Sequence, residues 1–348
     1  MESLIFFTLF WSLILLSAME FSSAADTITP GQPIRDGETL ISSSQRFELG
    51  FFSPGNSNNR YLGIWYYTIS PKAVVWVANR NIPIADKSGV LTVLNGNLVI
   101  LNQDKRIIWS SNSSRLPENP VAKLLDSGNF ILREDIDTFE NYMWQSFDYP
   151  SDTLLTGMKL GWNLKTDFQR TMTAWRSASD PAPGNFTLRL EKNDGPELVI
   201  STPSKKVARS GPWNGFQFNG IPMMHNLIFK PDLVHNEDES YYMYDVFSDT
   251  VVTRLILDPS GSIQRLIGTR GTENGIVCTL GYDICDHYAE CGANGNCRIG
   301  KTGVLPNSEE GDKTQTKQMC QEIVNGIRMP KGEGFLKLVR MKVPDSLG

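Results

Sequence analysis

The sequence predicts an all-β protein, and three observations lead to that prediction. Short runs rich in β-branched and aromatic residues recur along the chain, for example F-E-L-G-F-F (47–52) and Y-L-G-I-W-Y-Y (61–67). Turn signals separate such runs, and one of them, Asn95-Gly96, suits the positive φ angles of a type I′ hairpin. Long stretches of helical periodicity are missing. We therefore expect antiparallel hairpins along most of the chain.

An internal repeat indicates that the hairpins form units arranged around an axis. Asn97 begins a run that leads to Trp109, and Asn129 begins a second run that leads to Trp144. The two tryptophans are 35 residues apart. A unit of this size cannot bury its apolar face alone, so the copies are expected to share one core. We predict that Trp65, Trp109 and Trp144 fill the core.

Composition and charge are those of an ordinary globular protein, and the N-terminal segment predicts a secretory signal peptide. The 348 residues are 40% hydrophobic and 20% charged, and they are sufficient for two or three domains. The net charge of −5 argues against a nucleic-acid partner, which would favour a basic face. The apolar run 4–16 and the small residues up to Ala25 predict a secretory signal peptide cleaved after Ala25. A buried helix and a membrane anchor are the competing interpretations, but a span needs about 20 residues.

Four longer motifs carry a resemblance to a plant protein family. In chain order they are V-V-W-V-A-N-R-N-I-P-I (74–84), M-W-Q-S-F-D-Y-P-S-D-T-L-L (143–155), A-W-R-S-A-S-D-P-A-P-G-N-F-T (174–187) and S-G-P-W-N-G (210–215). Together they resemble the plant S-locus glycoproteins and the extracellular part of the S-domain, or G-type lectin, receptor-like kinases. The resemblance runs across roughly residues 26 to 297.

The resemblance implies tandem bulb-type lectin β-prism modules followed by a small disulfide-containing EGF-like remnant. It divides the chain into a signal peptide (1–25), a bulb-type lectin domain (26–150), a second lectin-like or S-locus glycoprotein region (151–277), a partial EGF-like module (278–320) and a lead-in to a missing PAN module (321–348). Receptor members of the family continue into a transmembrane helix and a Ser/Thr kinase. The H-R-D and D-F-G segments of a kinase do not occur in these residues, so we expect no enzyme activity.

The family's sugar-binding pattern is Q-x-D-x-N-x-V-x-Y, which we interpret as alternate residues on one face of one strand. When the pattern is aligned with residues 93–101, its five positions are occupied by Val93, Asn95, Asn97, Val99 and Leu101. When it is aligned with residues 125–133, only Asn129 matches strictly. Each missing hydrogen bond is worth on the order of 1 kcal/mol. We therefore predict a degenerate carbohydrate strand of little mannose affinity, in which Asn97 and Asn129 serve the turn.

All five cysteines lie between positions 278 and 320. The spacing C-x5-C-x5-C that starts at Cys285 resembles the first half of the family's EGF-like module. The resemblance implies the disulfide connectivity of an EGF module, in which Cys285 pairs with Cys297. Cys320 is then the downstream candidate for a disulfide with Cys291, and Cys278 is left as an unpaired thiol. A zinc site is the competing interpretation, although C-x2-C pairs are missing.

Other short motifs bear on modification and catalysis. Asn112 and Asn185 begin N-glycosylation sequons that lie beside predicted turns of a secreted chain. The three histidines are scattered along the sequence, and the G-x-S-x-G elbow of a serine hydrolase does not occur. We therefore predict no catalytic, cofactor-binding or metal-binding residues.

The sequence thus favours a secreted recognition module that binds an extracellular protein, peptide or glycan. In the family that it resembles, such modules act in pollen recognition or defence signalling. A homodimer and a receptor-kinase partner are further candidate assemblies. Two alternatives stay open: the N-terminal part of a plasma-membrane receptor-like Ser/Thr kinase, and a non-functional truncated product.

The cysteine pairing leads to a prediction about redox state. Intact mass spectrometry of the secreted chain, with and without reduction and alkylation, should show two disulfides and one free thiol. A chain without any disulfide would contradict the EGF interpretation.

Overall fold

The computed structural model describes residues 25–113, 117–135, 141–192, 195–219, 228–269 and 276–280. The predicted leader 1–24, the lead-in segment 321–348 and four of the cysteines lie outside these ranges, the cysteines being Cys285, Cys291, Cys297 and Cys320. Apart from a 3-10 turn at Ser146–Asp148, the described ranges contain strands and loops and no helix. The predicted all-β class is confirmed. Over the same ranges, no helix has the length and apolarity needed to cross a membrane.

Twelve strands between Thr27 and Gln145 form three four-stranded antiparallel sheets, which we call the first prism. The strands are β1 (Thr27–Ile28), β2 (Ile34–Arg35), β3 (Thr39–Ile41), β4 (Phe47–Phe52), β5 (Tyr61–Tyr66), β6 (Val74–Val77), β7 (Val90–Leu94), β8 (Asn97–Leu101), β9 (Ile107–Ser110), β10 (Pro120–Leu124), β11 (Phe130–Glu134) and β12 (Trp144–Gln145). Sheet I has the order β3-β4-β5-β6, sheet II the order β2-β7-β8-β9, and sheet III the order β1-β10-β11-β12.

A second group of three four-stranded sheets lies between Thr153 and Leu280, and we call it the second prism. Its strands are β13 (Thr153–Leu154), β14 (Leu160–Asn163), β15 (Phe168–Arg170), β16 (Met172–Ser177), β17 (Asp180–Leu190), β18 (Glu197–Ser201), β19 (Lys206–Pro212), β20 (Phe229–His235), β21 (Glu239–Val246), β22 (Val251–Leu257), β23 (Ile263–Thr269) and β24 (Ile276–Leu280). The sheet orders are β13-β22-β23-β24, β15-β14-β21-β20 and β16-β17-β18-β19.

Three tryptophans, one from the last strand of each sheet, meet at the centre of the first prism. The ring centroids of Trp76 and Trp109 are 6.1 Å apart, those of Trp76 and Trp144 are 5.9 Å apart, and those of Trp109 and Trp144 are 5.6 Å apart. Every pair meets edge to face, the geometry that the ring quadrupoles favour. The shared core inferred from the repeat therefore exists, and Trp109 and Trp144 lie in it as predicted.

Trp65 is also a core residue, as predicted, but it does not lie in the shared centre with the other tryptophans. Trp76 is paired with Ile64 across β5 and β6, so Trp65, the next residue along β5, belongs to the opposite face of sheet I. It is still almost fully buried, at 1% exposure. Trp65 packs there with Phe52, Tyr61 and Val77.

The second prism has a different interior, built around a buried cation. Arg265 is 2% exposed, and its guanidinium carbon lies 3.9 Å from the ring centroid of Phe229 and 4.3 Å from that of Tyr244. Such contacts offset part of the cost of removing the charge from water. The Tyr244 hydroxyl donates to the backbone carbonyls of Leu154 and Thr253, at 2.9 and 3.1 Å.

Reciprocal arginines join the two prisms. Arg80, in the loop that follows β6, donates from Nε to the carbonyl of Pro181 at 2.6 Å and from Nη2 to the carbonyls of Thr173 and Ala174, at 2.9 and 2.8 Å. Arg254, on β22, donates from Nη1 to the Val74 carbonyl at 2.9 Å. Each prism thus supplies a guanidinium that satisfies backbone acceptors of the other.

Asp152 lies in the connection between the prisms, and both arginines influence the pKa of its carboxyl group. Although the residue keeps some exposed surface, burial of its carboxyl group raises the pKa from 3.8 to about 6, and Arg80, the Thr153 hydroxyl and Arg254 offset part of this increase. Thr153 Oγ1 donates to Asp152 Oδ1 at 3.0 Å. Desolvation is thus the dominant influence on this carboxylate.

Loss of the Arg80 guanidinium should destabilise the junction. We expect Arg80→Met to lower the free energy of unfolding by about 3–5 kcal/mol, because three buried carbonyl acceptors lose a charged donor. Urea denaturation monitored by tryptophan fluorescence measures the change. The matched control is Arg176→Met, since the Arg176 side chain is 64% exposed and forms only a surface ion pair. Equal effects of the two substitutions would contradict the junction role of Arg80.

Asp152 should make stability depend on pH. Between about pH 4 and pH 6 the folded chain holds a proton that the unfolded chain has already released, so the free energy of unfolding should fall as pH rises through this window. We expect a contribution of about 1–3 kcal/mol that Asp152→Asn abolishes. Urea midpoints at pH 4, 5, 6 and 7 for both proteins test this, and identical profiles would refute it.

Candidate carbohydrate face

The hairpin of β7 and β8 divides the sugar-binding pattern between two strands. Asn95 and Gly96 form the turn, with φ angles of 49° and 71°, as the Asn-Gly signal predicts. Val93 therefore lies on β7, Asn95 in the turn, and Asn97 at the start of β8. The interpretation as one continuous strand is wrong, because the turn falls inside the pattern.

Register shows which of these positions face outward. Val93 pairs with Leu98, a fully buried residue, so Val93 faces the interior and is 7% exposed. Asn97, Val99 and Leu101 share the opposite face of sheet II. The position that should hold the glutamine of the pattern is thus a core valine. Of the three pattern positions that face outward, only Asn97 has a polar side chain.

The amide of Asn97 is used inside the protein. Its Oδ1 accepts hydrogen bonds from Ser111 Oγ at 3.0 Å and from the backbone N–H of Ser113 at 2.6 Å, while its Nδ2 donates to the Asn95 carbonyl at 3.4 Å. Ser111 Oγ in turn accepts from the Leu98 N–H at 3.1 Å. The asparagine therefore ties the start of β8 to the loop that follows β9.

Asn129 makes the equivalent connection in sheet III. Its Oδ1 accepts from Ser146 Oγ and from the Phe147 N–H, both at 3.2 Å, and its Nδ2 donates to Gln145 Oε1 at 2.8 Å. Ser146 Oγ accepts from the Phe130 N–H at 2.9 Å. Asn129 is 4% exposed, so its amide is both buried and occupied.

The two asparagines therefore repeat one structural unit, which we call the Asn–Ser clamp: Asn97 with Ser111, and Asn129 with Ser146. The expectation that they serve the turn was incomplete, because each clamp joins a strand to a loop beyond the neighbouring strand. Removing either amide would leave buried donors and acceptors without partners. Their presence in the sequence needs no sugar to explain it.

The outward face of sheet III is largely polar. Lys123 and Ile131 pair across β10 and β11, and Ile131 pairs with Gln145 on β12. Arg133 stands where the pattern expects tyrosine, and Lys123 Nζ lies 3.2 Å from Asp26 Oδ2. Charged side chains thus occupy the place of a sugar platform on this sheet.

The outward face of sheet I is covered by the second prism. Its cluster of Phe52, Tyr61, Trp65 and Val77 packs against Trp175 of β16. Nearby, Val77 donates its N–H to Ser151 Oγ at 2.9 Å. This face is therefore blocked for a sugar ligand.

The predicted glycosylation asparagines are both on the surface. Asn112 is exposed in the loop after β9, two residues beyond the strand, and has a φ of 48°. Asn185 is exposed within β17, where the register against β16 shifts between Thr187 and Pro183. Asn185 therefore lies in a β-bulge rather than beside a turn, which corrects the predicted setting. Whether glycans are attached stays a prediction.

Sequence reasoning missed the residues that hold the prisms together, namely Trp76, Arg80, Asp152 and Arg254. For Trp76 a signal was present, because W-V-A-N (76–79) and W-S-S-N (109–112) have the same outline. Arg80 and Asp152 lie in the family motifs 74–84 and 143–155, but nothing in these motifs indicated their role, since the acceptors of the two arginines are backbone carbonyls remote in sequence. In the described part of the chain, no group of three or more His, Cys, Asp or Glu side chains could hold a metal ion.

Comparison with known proteins assigns the family. Residues 73–176 match the D-mannose binding lectin family, and residues 208–305 match the S-locus glycoprotein domain. The chain is 35% identical to Receptor-like serine/threonine-protein kinase SD1-8 and 37% identical to Receptor-like serine/threonine-protein kinase SD1-7, both of Arabidopsis thaliana, over 98% of its own length. It spans only 42% and 41% of those two proteins.

A shorter relative is matched over most of both lengths. The chain is 35% identical to S-locus-specific glycoprotein S6 of Brassica oleracea, across 98% of this chain and 81% of that glycoprotein. This agrees with the four motifs and with the lectin-like sheets described above. The chain belongs to the S-locus glycoprotein family, which it shares with the extracellular parts of G-type lectin S-receptor-like kinases.

Proposed function

We propose that this chain is an extracellular recognition module whose ligand is a protein or peptide rather than mannose. The single observation that carries the proposal is the outward face of sheet II. Beside the pattern positions, Leu94 and Ile107 are 42% and 55% exposed, whereas Val93 and Val99 of the pattern itself are 7% and 2% exposed. Exposed apolar side chains next to buried pattern positions suit a protein partner better than a sugar hydroxyl.

The state of the three outward faces supports the same choice. Sheet I is covered by Trp175, sheet II presents apolar side chains, and the amide of sheet III's Asn129 is buried in its clamp. Three lost hydrogen bonds at about 1 kcal/mol each would weaken a mannose site roughly a hundredfold. A mannose ligand would also leave hydroxyl groups facing valine and leucine.

The family and the predicted leader support an extracellular location. The receptor kinases among the relatives extend well beyond the matched region, so a second candidate function is the ectodomain of a receptor-like Ser/Thr kinase. Sequencing of the transcript beyond codon 348 distinguishes the two, because a kinase exon would encode the H-R-D and D-F-G segments.

The proposed ligand class leads to a paired binding experiment. Folded, secreted protein should show no signal on a mannose-rich glycan array, and it should retain a protein or peptide from apoplastic extract. A bulb lectin with an intact Q-x-D-x-N-x-V-x-Y strand serves as the positive control on the array. Mannose binding comparable to that control would overturn the proposal, as would blank results for both arms.

A further inference from the structure

Six asparagines in the chain precede a glycine, and the structure describes both residues in two of these pairs. They are Asn95-Gly96, in the turn between β7 and β8, and Asn214-Gly215, in the loop that follows β19. The other four pairs begin at Asn219, Asn274, Asn294 and Asn325. An asparagine before a glycine is prone to deamidation, because the glycine has no side chain to hinder attack by its backbone nitrogen on the asparagine amide. Whether such a pair reacts in the folded chain depends on how its amide is held.

The side-chain amide of Asn95 is free to move. Asn95 is exposed at the tip of the hairpin, and within the described ranges no hydrogen bond holds its side chain. Its backbone carbonyl accepts a long bond from Asn97 Nδ2, at 3.4 Å. Attack by the Gly96 nitrogen requires the turn to relax, and exposed loop tips are where a backbone opens most readily. The pair at the β7–β8 turn therefore meets the conditions for reaction.

The side-chain amide of Asn214 is exposed as well, but it is held in place. Its Oδ1 accepts hydrogen bonds from the backbone N–H groups of Phe216 and Gln217, both at 3.0 Å, which makes an Asx turn. The loop is closed by a bridge between Trp213 and Phe218, and Phe218 is 1% exposed. Rotation of the amide towards the next backbone nitrogen would break both hydrogen bonds, so we expect this pair to react slowly.

We propose that Asn95 is a site of spontaneous deamidation in the folded chain, whereas the Asx turn protects Asn214. In the reaction the Gly96 nitrogen gives up its proton and bonds to Cγ of Asn95, and the C–N bond of the side-chain amide breaks. The amide nitrogen leaves as ammonia, which takes up that proton, and a five-membered succinimide remains. Water then opens the succinimide at either of its carbonyl groups, and the product is isoaspartate or aspartate. Nothing is oxidised or reduced, and water is the co-reactant.

The two products have different effects on the hairpin. Aspartate followed by glycine suits a type I′ turn, so aspartate at position 95 keeps the hairpin and adds a negative charge beside Leu94. Isoaspartate adds one carbon to the main chain, and a two-residue turn of that kind no longer fits the pairing of Leu94 with Asn97. Neither product recreates a sugar site, because Val93 still faces the interior and is 7% exposed.

Incubation of the folded chain in heavy-oxygen water, followed by peptide mapping with mass spectrometry, tests the site. The Asn95 peptide should gain one heavy oxygen atom per event, faster at higher pH because the attacking nitrogen must lose its proton. We expect reaction at Asn95 to be about tenfold or more faster than at Asn214, whose two hydrogen bonds must first break. In urea the two peptides should react at similar rates. Asn95→Gly is the matched control, because Gly-Gly also suits the turn and carries no amide.

Two results of the mapping would overturn the proposal. They are an unlabelled Asn95 in the folded chain after the chain in urea has reacted, and equal rates at Asn95 and Asn214 in the folded chain. A second measurement examines the turn. The isoaspartate form, separated by ion exchange, should unfold at lower urea than Asn95→Asp, which should match wild type. Equal urea midpoints for the two forms would contradict the expected effect of isoaspartate on the hairpin. Near-UV circular dichroism checks that each variant is folded.

Discussion

Closing three sheets around one axis buries one face of each sheet and leaves the other face outward, and the rest of the first prism depends on this constraint. The inward faces meet at Trp76, Trp109 and Trp144, whose edge-to-face contacts fill the axis. No sheet could bury its apolar face alone. Because the inward faces are used for folding, any function of this prism must be carried by its outward faces and loops.

The three outward faces have separate roles. That of sheet I is buried by contact with the second prism, where Trp175 packs against the cluster that contains Trp65. That of sheet III carries charged groups, including the ion pair of Lys123 with Asp26. Among the described residues of these three faces, strongly exposed apolar side chains lie on that of sheet II, at Leu94 and Ile107, so a macromolecular ligand would gain from burying them there.

Two asparagines show how a functional motif can persist without its function. Asn97 and Asn129 match the sugar-binding pattern, yet each amide is held in an Asn–Ser clamp that joins a strand to a distant loop. Substitution of the neighbouring positions can remove sugar-binding groups while the clamp keeps the asparagine in place. A match at these two positions therefore reports the fold and says little about the ligand.

Hairpin signals, the tryptophan repeat and the family motifs were sufficient to establish the all-β class and the lectin-like lineage, because each depends on local spacing. The face of Trp65, the inward orientation of Val93 and the coverage of sheet I required tertiary structure. Register decides to which side each side chain points, and a shift of one residue reverses it. The junction of Arg80, Asp152 and Arg254 also required tertiary structure. Arg80 and Asp152 lie in two of the family motifs, but the backbone carbonyls that the guanidinium groups bond are far along the chain and cannot be identified from the motifs.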